Sequence, residues 1–431
     1  MHDSNKKQIS AWVKESLWVV VGQFFALAGS FALVRVMTSL LSPNQYGELA
    51  LSLTALGLIS QIAINSIGAS IARYYPVAVL KNQLKTFASV SKGFLLISAV
   101  LSLTIGLIIS GFLLINNYQH WAILCLLGFI FATLSLYNFT ANSLQNAARN
   151  RSTVALHTTV ESWLKIAAAF IAILLLGAQA SSALIGYCLT LILLLFSQKY
   201  FLSKILNKNE ESQFLDQSSV KNWQKNIWQY AWPFATWGAF TWAQQVSDLW
   251  SLKFFTSTSE VGLYTVVFQL GFAPIVLLNT VVQQFLSPIL NQHATLSHEG
   301  KKKNNVHLTI WVTAFLSLIV TTLTFIFVFN FHEWLFSWLV AAEYRSASVY
   351  LAWMLLAGGV FSAGQILSLK LMSEFKSKEM IRLKIYTALL GISFNIAGAW
   401  LYGTKGVIGS VVIFSFSYSI WMAWLTWQKQ R

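Results

Sequence analysis

A chain of 431 residues that is 56% hydrophobic and only 10% charged, with a mean hydropathy of +0.60, is not a water-soluble enzyme or binding module. Its net charge of +15 would suit a nucleic-acid partner, but the basic residues are spaced as a membrane topology requires, so no nucleic acid is expected. Both cysteines, Cys125 and Cys188, fall inside apolar runs, where a thiol acts as a small apolar side chain; neither a disulfide framework nor a metal site is expected.

A helix rises about 1.5 Å per residue and the hydrocarbon layer is about 30 Å thick, so a crossing needs roughly 20 apolar residues. Runs of that kind cover residues 17–36, 46–71, 93–115, 121–139, 154–177 and 183–202. After a polar stretch they resume at 227–255, 262–290, 308–329, 346–372, 385–402 and 407–427. Continuous runs of this length argue against a lipid-facing barrel, which needs short alternating segments. The expected fold is an all-α integral membrane protein with an N-terminal lobe over residues 1–202, a cytoplasmic linker at 203–226 and a C-terminal lobe over 227–431. The charged segment 6–15 runs straight into the first span, so no cleavable signal is expected.

Placing the N-terminus in the cytoplasm puts 24 of the 29 Lys and Arg in cytoplasmic connections, leaving only Arg35, Lys165, Lys253, Arg345 and Lys405 elsewhere. That asymmetry is the positive-inside signature; it predicts both termini in the cytoplasm, together with the connection at Lys301, Lys302 and Lys303.

Six spans on each side of the polar stretch invite a search for a repeat. Leu41-Ser42-Pro43-Asn44-Gln45-Tyr46-Gly47 aligns with Thr256-Ser257-Thr258-Ser259-Glu260-Val261-Gly262, which sets Gly47 on Gly262. Later, Leu164-Lys165-Ile166 recurs as Leu383-Lys384-Ile385, and Leu184-Ile185-Gly186 as Val407-Ile408-Gly409. Two copies of an even-numbered unit face the same way, so their pseudo-axis runs along the membrane normal and frames a central cavity.

The turn Arg35-Val36-Met37-Thr38-Ser39-Leu40-Leu41-Ser42-Pro43-Asn44-Gln45-Tyr46-Gly47 resembles the first-loop pattern of the Wzx-type polysaccharide flippases, relatives of the MATE drug exporters and lipid II flippases in the MOP superfamily. Arg73-Tyr74-Tyr75, Glu343-Tyr344, Asn395 and Gly406-Val407-Ile408-Gly409 fit the same family, so the likeness runs along nearly the whole chain. The resemblance implies a MATE-like carrier of two six-helix lobes whose first, second, seventh and eighth helices face the cavity. It implies an undecaprenyl-diphosphate-linked oligosaccharide as substrate, flipped across the bacterial inner membrane for O-antigen, capsule or a related polymer. It further implies membrane lipids, a polysaccharide polymerase and a chain-length regulator as partners, and no cofactor.

The polar residues of the spans are unevenly shared. The seventh and eighth hold Thr241, Gln244, Gln245, Asp248, Gln269, Asn279, Gln283 and Gln284; the first and second hold Gln23, Arg35, Gln61 and Asn65. Thr241, Gln245 and Asp248 share one helical face, as do Gln61 and Asn65. Two readings stand: hydrogen bonds between helices, or a cavity that meets the sugars. Trp237 and Trp242 suit either sugar stacking or interfacial anchoring, whereas Trp228 and Trp232 suit anchoring near the cytoplasmic entry. Intramembrane charges are functional candidates by default. Lys165 is therefore read as a source of positive potential or as the i,i+4 partner of Glu161. Arg35 and Asp248, at similar depth in pseudo-equivalent helices, are expected to form a periplasmic gate.

No phosphate-binding Gly-x-x-x-x-Gly-Lys-Ser/Thr loop and no recognisable nucleophile setting occurs, so the chain is expected to be a transporter rather than an enzyme. The main rival is a MATE-like cation or drug antiporter using Asp248 or Glu161. A membrane-embedded glycosyltransferase is the other, disfavoured because the longest external connection, 330–345, is short.

Overall fold

The computed structural model describes residues 2–207, 217–296, 300–373 and 377–428, so part of the expected linker, 208–216, lies outside the described residues. The described chain is helical almost throughout. In the first half α1 spans His2–Leu40, α2 Pro43–Leu80, α3 Leu84–Ile115, α4 Gln119–Ala147, α5 Arg151–Leu176 and α6 Ala180–Asn207. In the second, α7 spans Gln217–Phe255, α8 residues 258–296 and α9 Gly300–Leu339; a 3₁₀ segment, Ala342–Tyr350, leads into α10, Leu351–Ser373. The last helical stretch, Ser377–Gln428, breaks at Gly403, whose φ of 57° and ψ of −136° only glycine tolerates well; it thereby supplies α11 (377–402) and α12 (404–428). Contact between Gly398 and Gly406 and a bond from Ser410 Oγ to Phe394 O (2.6 Å) show that α12 folds back on α11.

Among the described residues, ten stretches are long and apolar enough to cross a membrane, and the last of them, Ile385–Trp427, runs through most of both α11 and α12. The long helix absent from that set is α7, which carries Asp248 and Lys253 together with several amides. The helices overrun the apolar stretches because their polar ends continue the helical hydrogen bonding. Tight turns join α2 to α3, α3 to α4 and α4 to α5. Each has a residue of positive φ (Asn82, Asn117, Arg149) and a backbone N–H reaching back five residues, as from Gln83 to Ala78 (2.9 Å), a closure that caps the last carbonyls of the helix.

By internal packing the chain forms two compact units. The first comprises residues 1–41 and 48–242, the second residues 42–47 and 243–431, so α7 contributes its first part to one and its last part to the other. In the first unit α1 packs on α5 through Gly22 against Ala155 and Gly29 against Ser162; α4 packs on α2, α3 and α6; and α6 packs on α5. The second unit repeats the pairing. Its part of α7 meets α11 through Gln244 against Gly391 and Ser247 against Asn395, α10 packs on α8, α9 and α12, and α12 packs on α11. This shared pattern is compatible with the pseudo-symmetric six-helix organisation expected from the repeat.

The repeat also holds in atomic detail. Inside the second unit, the start of α2 and the start of α8 cross at Gly47 and Gly262, where a Cβ on either glycine would strike the backbone of the other helix. Ser42 and Ser257 occupy equivalent positions at these helix starts, each accepting from the backbone N–H three residues on, at 3.5 and 3.2 Å.

Candidate functional site

In the first unit the predicted pair Gln61 and Asn65 is brought together: Asn65 Nδ2 donates to Gln61 Oε1 at 3.0 Å, with Asn65 exposed and Gln61 half-buried. Gln61 lies in a wider π-turn, Ser60–Ile64, that interrupts α2. Such turns displace the ladder by one residue and often mark functional positions. The backbone of α7 approaches this turn closely, since a Cβ on Gly238 would collide with the carbonyl of Gln61. One helical stretch earlier, Trp242 Nε1 donates to Thr54 O at 2.9 Å and its ring lies against Gly57. The indole N–H of Trp242 is thus used in holding α7 on α2, a packing role that is neither the sugar stacking nor the interfacial anchoring expected for this ring. The side chain of Trp237 lies outside the described residues. Thr54, Gly57, Gln61 and Asn65 form one strip of α2 whose last part presents amides, groups able to donate to and accept from hydroxyls. Arg35 is exposed on α1 in the same unit.

Lys165 is committed locally. Its Nζ is 3.2 Å from Glu161 Oε1 and 5.5 Å from the ring centroids of both Phe131 and Tyr187, so one carboxylate and two aromatic faces surround the ammonium. Of the two readings of Lys165, this geometry favours the internal pair. The side chain of its repeat partner Lys384 lies outside the described residues.

In the second unit Asp248 is 6% exposed; its Oδ2 accepts from Tyr264 Oη at 2.5 Å and its Oδ1 from Leu249 N at 2.7 Å. Burial of a carboxylate is costly unless donors meet it, and here a fully buried tyrosine of α8 supplies one. Gln245 is exposed, Gln244 is half-buried against Gly391, and Gln283 is half-buried; the side chain of Gln284 lies outside the described residues. Asn279 is buried, and neither amide atom has a hydrogen-bond partner among the described residues. Arg35 and Asp248 belong to different units.

Three arrangements escaped sequence reasoning. Tyr264 serves Asp248 from sixteen residues away, Tyr46 Oη donates to Gln269 Oε1 at 2.6 Å, and His120 Nε2 meets Glu48 Oε2 at 2.8 Å. Only the last carried a signal, Glu48 being a carboxylate within an apolar run.

This architecture defines a class by its fold, the fold of the MATE transporters. A MATE transporter of Vibrio cholerae superposes with a TM-score of 0.64 at 13% identity, over 99% of this chain and 98% of that one. An outward-facing multidrug resistance MATE transporter of the MOP superfamily gives 0.63 at 15% identity over 97% and 95%. A MOP superfamily transporter of Pyrococcus furiosus, described as having a binding pocket of reversed polarity, gives 0.62 at 15% over 97% and 95%. These likenesses establish the fold. The chain belongs to the polysaccharide biosynthesis protein family, whose model matches residues 12–294, and the resemblance to Wzx-type flippases holds. No curated protein matches it.

Proposed function

We propose that this transporter flips an undecaprenyl-diphosphate-linked oligosaccharide from the cytoplasmic to the periplasmic leaflet of the bacterial inner membrane by alternating access. The observation that carries the reading is a polysaccharide-biosynthesis family match over residues 12–294 on a MATE-type transporter fold. The amide strip at Gln61 and Asn65 and the polar residues Gln244, Gln245 and Gln283 suit sugar hydroxyls; Arg35 suits the diphosphate. With the lipid tail left in the bilayer, only the head needs a polar path. On this reading the termini are cytoplasmic, and a polymerase and a chain-length regulator receive the product.

A second reading, a cation-coupled antiporter, is favoured by one feature, the buried carboxylate of Asp248. Deleting the gene separates the two. The flippase reading expects lipid-linked oligosaccharide to accumulate in the cytoplasmic leaflet and surface polymer to be lost. Normal surface polymer with increased sensitivity to cationic drugs would favour the antiporter.

A further inference from the structure

The first unit carries a separate feature where α2 ends and α7 begins. The side chain of Gln83, in the turn after α2, donates from Nε2 to Ser219 Oγ at 3.1 Å and accepts from Trp223 Nε1 at 3.1 Å. Trp223 is 3% exposed and stands edge-on to Phe87 and Tyr74, with centroids 5.2 and 6.1 Å apart. Tyr230, two turns along α7, meets Tyr74 at 5.9 Å. Beneath them is a core that includes Ile71, Ala78 and Ile227. Aromatic contacts, two side-chain hydrogen bonds and apolar packing therefore fix this platform together.

Two exposed cations rest on it. The guanidinium carbon of Arg73 is 5.1 Å from the Tyr230 centroid and 5.9 Å from that of Tyr74, and Lys81 Nζ is 6.0 Å from the Trp223 centroid. A guanidinium held near a ring by its charge still has an N–H fork to offer other partners. That fork matches two oxygens of one phosphate, and a nearby ammonium adds a point charge. Among the described residues no carboxylate forms an ion pair with Arg73 or Lys81. Snorkelling to headgroups alone would need neither a buried tryptophan nor a ring beneath each cation.

We infer that Arg73 and Lys81, held on the Tyr74, Trp223 and Tyr230 platform, are a docking site for the diphosphate head of the lipid substrate at the cytoplasmic leaflet. This rests on the function and topology proposed above. Arg73 lies about 18 Å along α2 from Gln61, at roughly 1.5 Å for each of the intervening residues, and Lys81 is farther still, so the site meets the head before the amide strip does.

The test is native mass spectrometry of the purified full chain with undecaprenyl diphosphate, alone and against phosphatidylglycerol. Wild type should retain the diphosphate lipid in preference to phosphatidylglycerol. Arg73→Ala and Lys81→Ala should each weaken that retention about tenfold or more, as loss of a charge-assisted hydrogen bond implies. Arg73→Lys, which keeps the charge without the fork, should fall between. Unchanged melting temperatures show that the variants are folded; a variant that melts early is replaced by Arg73→Gln or Lys81→Gln. Undiminished retention by folded Ala or Gln variants overturns the docking site and leaves the flippase reading standing. Equal displacement by phosphatidylglycerol, lost with Arg73, makes the platform a general anionic-lipid anchor and also overturns it. A wild type with no preference that no variant alters counts against the flippase reading itself.

Discussion

Replacing Gly47 or Gly262 by alanine tests the crossing of α2 and α8. A Cβ on Gly47 would collide with Thr258 O and lie 3.0 Å from Gly262 N; one on Gly262 would collide with Pro43 O and lie 3.0 Å from Gly47 N. The obstructing atoms are backbone, so no rotamer change relieves the clash and the helix starts must separate. Overpacking of this kind costs about 1–3 kcal/mol. For a unit of this size about 2–4 °C is lost per kcal/mol, so each substitution should lower the melting temperature in micelles by roughly 2–12 °C. Both strike the same crossing, so the double variant should lose less than the sum of the singles. Gly93→Ala is the control, since a Cβ there meets nothing within 4 Å. Melting of both single variants at the wild-type temperature, or strict additivity in the double, would refute the crossing.

Tyr264→Phe removes the hydroxyl donor from buried Asp248 and should destabilise the fold by about 1.5–3 kcal/mol. Asp248→Asn in the Tyr264→Phe background should recover part of that loss, and its failure to do so in thermal melts would count against the pairing. Lys165→Ala strands a partly buried Glu161, so Glu161→Ala combined with it should be more stable than Lys165→Ala alone; equal stability would mean the pair contributes nothing. Gly403→Ala imposes a backbone conformation that L residues rarely adopt and should cost about 1–3 kcal/mol, measured by the same melts. An alkaline phosphatase fusion after Lys303 should be inactive, and strong activity would invert the proposed topology.

The apolar runs located the helices well because lipid demands both continuous apolarity and internally bonded backbone. They located the ends poorly. Residues 72–80 of α2 and 217–226 of α7 are polar or mixed, yet stay helical because they pack on each other around Gln83 and Trp223. Within the site, contacts at helical spacing were legible: Glu161 with Lys165 and Gln61 with Asn65 follow from i,i+4 geometry alone. Contacts between helices were not. Asp248 shares a face with Gln244 and Gln245, yet its partner is Tyr264, which the rotation of α8 selects. Nor does composition reveal the π-turns at Ser60–Ile64 and Phe268–Phe272, which packing against neighbouring helices stabilises.

Movement of a phosphate-linked glycan head across a bilayer is measured by reconstitution. Purified protein in liposomes carrying a fluorescent undecaprenyl-diphosphate-linked oligosaccharide, with the outer-leaflet label destroyed by a membrane-impermeant reductant, reports how much lipid crosses. A flippase should give label loss beyond the outer-leaflet share in protein-containing vesicles, whereas loss should stop at that share in empty ones. Label loss identical in both, with uptake of a cationic drug into the same proteoliposomes against an imposed ion gradient, would contradict the flippase reading.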